Sequence, residues 1–188
     1  VLFSLHAGEL TPAFASASDL SFHVREAIEI AGASRIGHAT DTLGEDSPDD
    51  LVQEMASTGV GVEACLTSNQ QLLDIEGDQH PARTLLDRGV GVAFATDDQG
   101  ILRIDMNGEI VRAISSQSLN YHEVKRAIRA SLAHSFLPGT PIAKVSACHK
   151  ALVAESISQT CQDALDQDER AQAEWNLETS LDTFEKSL

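Results

Sequence analysis

Four short apolar runs, each ending in polar residues able to do chemistry, set the plan of this chain. Residues 1–5 are apolar and β-prone and read as a buried strand. His6 stands where that run ends, Gly8 lets the backbone turn, and Glu9 follows at once. Residues 35–38 read as a short strand ending in His38, residues 60–69 as a strand ending in Ser68-Asn69, and residues 90–98 as one ending in Asp97-Asp98. The tips recur at steps of 32 residues (6 to 38), 31 (38 to 69) and 28 (69 to 97). A βαβ unit takes about 30 residues, so each step is one strand–helix repeat. Every repeat delivers its polar group to one rim, the carboxyl end of a parallel sheet, where chemistry collects in α/β proteins.

The stretches between the runs carry helical spacing. Leu20, Val24, Ala27, Ile28 and Ala31 predict a helix over residues 20–31, stopped by Gly32. Ser47-Pro48 opens a helix over 49–58, closed by Gly59. His80-Pro81 opens another through residue 88, closed by Gly89, and residues 109–116 form a fourth. Residues 70–79 and 100–105 read as loops. The alternation then stops. Val124, Ile128, Leu132 and Phe136 share the face of one long helix over 121–136, which Pro138-Gly139 breaks. Residues 142–157 are helical, and residues 167–188 form a last helix that packs through Trp175, Leu177, Leu181 and Phe184.

The predicted fold class is therefore α/β. Four parallel βα units (residues 1–117) are followed by a helical cap (118–188), in a single domain over 1–188. Four units do not close a barrel; they are half of a (β/α)8 TIM-type barrel or a small open sheet. The chain opens on Val1 inside a strand, so an N-terminal part is expected to be absent.

Composition narrows the partners. Hydrophobic content of 42% and charged content of 22% are those of an ordinary globular domain with one core. A net charge of −16 argues against nucleic acid and against an anionic membrane surface. No apolar run approaches the roughly 18 residues that a bilayer span needs. Cys65 lies in an apolar strand and reads as a buried thiol, and no C-x-x-C exists to hold zinc by thiolates. Cys148 and Cys161 are free to pair. A disulfide between them would place the protein in an oxidising compartment, periplasmic or secreted, instead of the default cytoplasm.

Taken singly, the rim residues have plain explanations. A strand-end histidine such as His6 or His38 is usually structural, Asp97-Asp98 makes a turn or a helix cap, and Ser68-Asn69 makes a loop. Gly59-Val60-Gly61 and Gly89-Val90-Gly91 are helix stops before strands rather than nucleotide fingerprints. His23, His80, His122, His134 and His149 fall on predicted helices and are assigned no role. Taken together at one repeat period, the rim residues form a complementary set. His6 and Asp97 are ligands suited to zinc. Two are too few for a catalytic site, so others must come from elsewhere. His38 could take a proton from an attacking water, and Glu9 could act as the acid.

His6-Ala7-Gly8-Glu9, Arg35-Ile36-Gly37-His38, Cys65-Leu66-Thr67-Ser68-Asn69 and Thr96-Asp97-Asp98, in this order and spacing, resemble the motifs of the adenosine/AMP deaminase family of metal-dependent hydrolases. The similarity continues through residues 131–139 and corresponds to the barrel from its fifth strand to the C-terminus. The resemblance implies zinc-dependent hydrolytic deamination of adenosine to inosine and ammonia. It implies His6 and Asp97 as zinc ligands, His38 as the residue that helps activate water, Glu9 as proton donor to purine N1, and Asp98 as the group that orients the base at N7. Three features depart from the pattern. No His-x-His pair is present, the glycine contact to the base is missing, and Gln99 stands where proline is common. The remaining zinc ligands are therefore expected from the absent N-terminal half, and the fragment alone is expected to be inactive. The substrate stays open between adenosine, adenine, AMP and a modified adenosine, with an inactive purine-binding relative as the non-enzyme alternative.

Overall fold

The computed structural model describes residues 1–148 and 157–188. Its centre is a four-stranded parallel sheet in the order β1-β2-β3-β4, formed by β1 (Ser4–Ala7), β2 (Arg35–His38), β3 (Gly61–Ala64) and β4 (Gly91–Phe94). The register is regular: Leu5 lies beside Ile36, Ile36 beside Val62, and Val62 beside Val92. Strands that start level also end level, so the four tips share one rim. Helices α1 (His23–Glu29), α2 (Pro48–Thr58), α3 (Leu66–Leu73), α4 (Ala82–Asp87), α5 (Gln99–Leu102), α6 (Met106–Ser116) and α7 (Tyr121–Ala133) complete this part. Four βα units, as in half of a (β/α)8 barrel, followed by further helices, are the architecture read from the sequence.

The core is apolar and continuous. Val24 of α1, Ile36 of β2, Leu51 and Met55 of α2, Val62 of β3, Leu85 and Leu86 of α4 and Val92 of β4 lie in one buried cluster. Each such side chain contributes about 1.5–3 kcal/mol by leaving water.

Several local expectations are corrected. β1 covers Ser4–Ala7 rather than residues 1–5, and it is only half-buried because it is an edge strand without the helix cover that α7 gives the other edge, β4. β3 stops at Ala64, and residues 66–73 form helix α3, so Ser68 and Asn69 stand in a helix and not at a strand tip. The cause is a remote cap: the Glu109 carboxylate of α6 accepts the Thr67 backbone N–H at 3.1 Å and also the Thr67 hydroxyl. His80 lies before α4 in extended backbone (φ −84, ψ 130), as residues preceding proline prefer. A short helix, α5, occupies part of the loop expected over 100–105.

The chain divides into two compact units, Val1–His134 and Ser135–Leu188. The border lies later than the 117/118 division because α7 packs on β4, burying Val124 and Ala127, and Arg126 donates to the Leu86 carbonyl at 2.8 Å. Within the second unit, α8 (Gln159–Leu165) and α9 (Glu169–Lys186) pack through Cys161, Leu165 and Ala171, with Trp175 partly buried beside them. Phe184, expected on that packing face, is exposed. Of the helix expected over 142–157, residues 142–148 form two 3-10 turns, Ile142–Lys144 and Ser146–Cys148, residue 157 is not helical, and residues 149–156, with His149, lie outside the described residues. Cys148 and Cys161 are joined by a disulfide with Cα atoms 4.9 Å apart, and Cys65 is a free, buried thiol. No helix among the described residues is long and apolar enough to cross a membrane.

Gly59 and Gly89 end α2 and precede β4 with positive φ (75° and 86°), as helix stops should. Gly61 and Gly91 do something else. A Cβ on Gly61 would lie 2.5 Å from Cγ of His134, and one on Gly91 2.3 Å from its Nε2. The His134 ring therefore fills the space that these two glycines leave at the start of β3 and β4, giving it a packing role. Gly61→Ala should destabilise the protein by about 1–3 kcal/mol through overpacking. The penalty should shrink in Gly61→Ala/His134→Ala relative to His134→Ala, as urea denaturation of the four proteins would read. A second expected outcome concerns the thiols. Denatured without reductant, the chain should present one reactive thiol, and three would contradict the disulfide.

Candidate active site

Each rim residue is placed by the end of a strand or the start of the next helix. His6 lies within β1, and Gly8, at φ 72°, turns the chain so that Glu9 comes back towards the same rim. His38 closes β2 in the left-handed region (φ 70°), and Ala39 continues there (φ 52°). Asp97, after β4, is left-handed too (φ 53°). Non-glycine residues in this region cost about 1–3 kcal/mol each and concentrate at functional sites. Two of the sequence-selected residues share this strain, although Ser47, Asp74, Arg103, Ser118 and Phe136 adopt it away from the rim.

The side chains meet. His38 Nε2 lies 2.9 Å from His6 Nε2, and Glu9 Oε1 lies 3.5 Å from His38 Nδ1. Ligand atoms of His6, Glu9 and His38 all fall within 4.8 Å of one another. Asp97 is not a member of that group. Its carboxylate accepts the Ser68 hydroxyl at 2.6 Å, and it lies near enough for its charge to act on the His38 ring. Asp98 is the residue from which α5 starts. Burial holds the His38 imidazole below its ordinary value, outweighing the attraction of Glu9. His6 is exposed, whereas His38 is buried at 2%.

Behind His38 stands a buried polar set of which the motif pattern includes Asn69 but not Thr40 or His80. The Asn69 amide lies 3.1 Å from His38 Nδ1, and its other arm meets the Thr40 hydroxyl at 3.1 Å and His80 Nε2 at 3.1 Å. Burial pushes the His80 imidazole down to about 4. Sequence alone gives His80 no role because it stands at the opening of a helix; the structure holds it in extended backbone just before α4, and Pro81 is the signal for that conformation. Cys65 is no nucleophile, because burial pushes its thiol far up.

A family model for adenosine deaminase matches residues 1–147. The chain belongs to the adenosine deaminase family. A member from Escherichia coli (strain SE11), an adenosine deaminase, is 34% identical over 113 residues, which are 60% of this chain and 33% of that protein. The chain thus spans about a third of the length of this curated relative. Two solved structures share the fold. An adenine deaminase from Arthrobacter aurescens superposes with a TM-score of 0.59 at 24% identity, covering 72% of this chain and 38% of its own. The N6-methyl-AMP deaminase from Arabidopsis thaliana gives 0.56 at 26% identity, with 72% and 36% covered.

Family members are metal-dependent hydrolases, and the rim fits a metal by its donor set. The His6 imidazole, 2.9 Å from His38, and the Asp97 carboxylate, whose charge acts on the same His38 ring, are nitrogen and oxygen donors of the borderline kind that zinc takes.

One buried group beside the rim carries a cost. Asp41 is 8% exposed and neither of its carboxyl oxygens has a hydrogen-bond partner. It sits against Gly8, where a Cβ would lie 2.1 Å from Asp41 Oδ1. Burial, and then the Glu45 charge, push its carboxyl up to about 6 from an ordinary 3.8. Between those values the folded protein keeps a proton that the unfolded chain has released. The contribution of Asp41 to stability therefore falls as pH rises through that window. Asp41→Asn should stabilise the protein at about pH 7, and the gain should fade as pH drops to about 4. Urea denaturation across that range would check it, and a gain independent of pH would refute the assignment.

Proposed function

We propose that the protein containing this chain is a zinc-dependent hydrolytic deaminase of a purine carrying an exocyclic amino group, with adenosine as first substrate, inosine and ammonia as products, and Asp98 orienting the ring at its N7 edge. The observation that carries this reading is the close grouping of His6, Glu9 and His38 on a rim that also bears Asp97. His6 and Asp97 are the residues of this chain that would hold the zinc, and further ligands come from residues outside it, since a catalytic zinc takes three protein ligands and an open position. Zinc, when bound, supplies Lewis acidity and makes hydroxide accessible near neutrality.

The chain's own groups do the remaining work. Addition of water oxygen to C6 breaks the aromatic ring and pushes charge onto N1. Glu9 holds a proton for that nitrogen. Ser68 fixes Asp97 by its 2.6 Å hydrogen bond, so the carboxylate need not be ordered on binding. His38 stands beside His6 and meets the attacking water. The C6–N bond then breaks, ammonia takes the second proton, and a 6-oxo purine remains.

The alternatives are adenine, AMP and an N6-modified nucleotide, favoured by the fold shared with an adenine deaminase and by the likeness to an N6-methyl-AMP deaminase. Retention of His6, Glu9, His38, Asp97 and Asp98 together speaks against a purely purine-binding relative, which would need only packing residues. Neither the charge nor the described helices favour a nucleic-acid or membrane partner.

The test uses the whole protein with zinc, offered adenosine, adenine, AMP and N6-methyl-AMP in turn. Glu9→Gln should keep its zinc and lose about 10²–10⁴-fold in rate, as expected for removal of an acid–base group. Asp97→Ala should lose zinc as well, read by metal analysis. No product from any of the four substrates would leave the binding reading.

A further inference from the structure

The buried set behind His38 has a direction, and it can be read from one end. The backbone N–H of Ala82 donates to His80 Nδ1 at 3.1 Å. A backbone amide can only donate, so His80 Nδ1 carries the lone pair and the neutral ring carries its proton on Nε2. His80 Nε2–H then donates to Asn69 at 3.1 Å, so the atom that it meets is the amide oxygen. The Thr40 hydroxyl donates to the same oxygen at 3.1 Å. The other arm of Asn69 is the NH2 group, and it donates to His38 Nδ1 at 3.1 Å. His38 Nδ1 is therefore an acceptor, and its ring proton sits on Nε2, 2.9 Å from His6 Nε2. Thr40, Asn69 and His80 are 5%, 0% and 2% exposed, so water does not compete for these bonds.

Glu9 is the one group that favours the other tautomer, being 3.5 Å from His38 Nδ1. The Asn69 amide is closer and has no second acceptor to offer, so a proton on Nδ1 would face an N–H at hydrogen-bond distance. The amide decides.

We propose that Asn69, aligned by His80 and Thr40, is a positioning residue that locks His38 in its Nε2–H tautomer, so that His38 serves the rim as a hydrogen-bond donor and not as a proton acceptor. The same direction makes His6 Nε2 the acceptor, so that nitrogen carries no proton, the form in which an imidazole binds zinc. The tautomer stands on hydrogen-bond geometry alone; the donor role rests on the deaminase reading. It replaces the proton-accepting role that the chemistry of the rim residues alone suggests for His38. His38 would donate to the oxygen that adds to the purine, and the proton released from water would need another acceptor, for which Glu9 is placed.

The experiment measures the His38 tautomer directly, by long-range 1H–15N correlation on the metal-stripped whole protein labelled at its imidazoles, with His38→Gln to assign the signals. The wild type should show His38 protonated on Nε2 and bare on Nδ1. Asn69→Asp keeps the shape of the side chain but replaces the donating NH2 by an oxygen, and should move the His38 proton to Nδ1. His80→Ala serves where Asn69→Asp does not fold, and should give a mixture of tautomers because the amide loses the donor that orients it. Proton on Nδ1 in the wild type, or no change in a folded variant, would overturn the proposal. With an active protein, Asn69→Asp should lower kcat roughly 10- to 100-fold with KM little changed, the loss of one hydrogen bond to developing charge. An unchanged kcat would overturn the donor role. The predicted tautomer together with no turnover on any purine would uphold the positioning by Asn69 and sink the deaminase reading instead.

Discussion

Parallel pairing in level register is the constraint on which everything at the rim depends. With Leu5, Ile36, Val62 and Val92 side by side, four strands of four residues each finish at one height. Residues some 30 positions apart in sequence then meet within a few ångströms. The meeting is made sharper by backbone that ordinary side chains avoid, at His38 and at Asp97. That strain is tolerated because the apolar layer between sheet and helices holds the strands where they are.

Much of this was legible in the sequence, for identifiable reasons. β2 and β4 are bounded by residues with strong local preferences, glycine before the strand and polar groups after it, and α2 has proline at its start and glycine at its end. The repeat interval and the identity of His6, Glu9, His38 and Asp97 as rim residues needed only the strand tips. What escaped depends on contacts between distant positions. Cys65-Leu66-Thr67 looks like the continuation of an apolar strand; the chain turns into α3 there under a carboxylate 42 residues away. α1 is similar, its first N–H groups at Val24 and Arg25 being taken by Glu45. Its start at His23, three residues later than apolar spacing suggests, follows from that cap.

The histidines divide on the same principle. His6 and His38 announce themselves by ending strands. His134 fills a hollow made by two glycines on other strands, and His80 links a backbone amide to an asparagine, so neither function has a local signature. Composition could not separate these residues either: all four are histidines, and only the identity of the neighbouring groups tells a ligand from a strut.

The position of Asn69 on α3 rather than on β3 has a consequence for how the gene can vary. Along an α-helix each residue turns the side chain by about 100°, whereas a loop absorbs length changes by bulging. Adding or deleting one codon between those for Leu66 and Asn69 would swing the amide a quarter-turn or more away from its three partners. The same change a few residues later, after the left-handed Asp74 that ends α3, would be taken up at the surface. Length polymorphism in this protein should therefore be read by where it falls relative to that single helical turn.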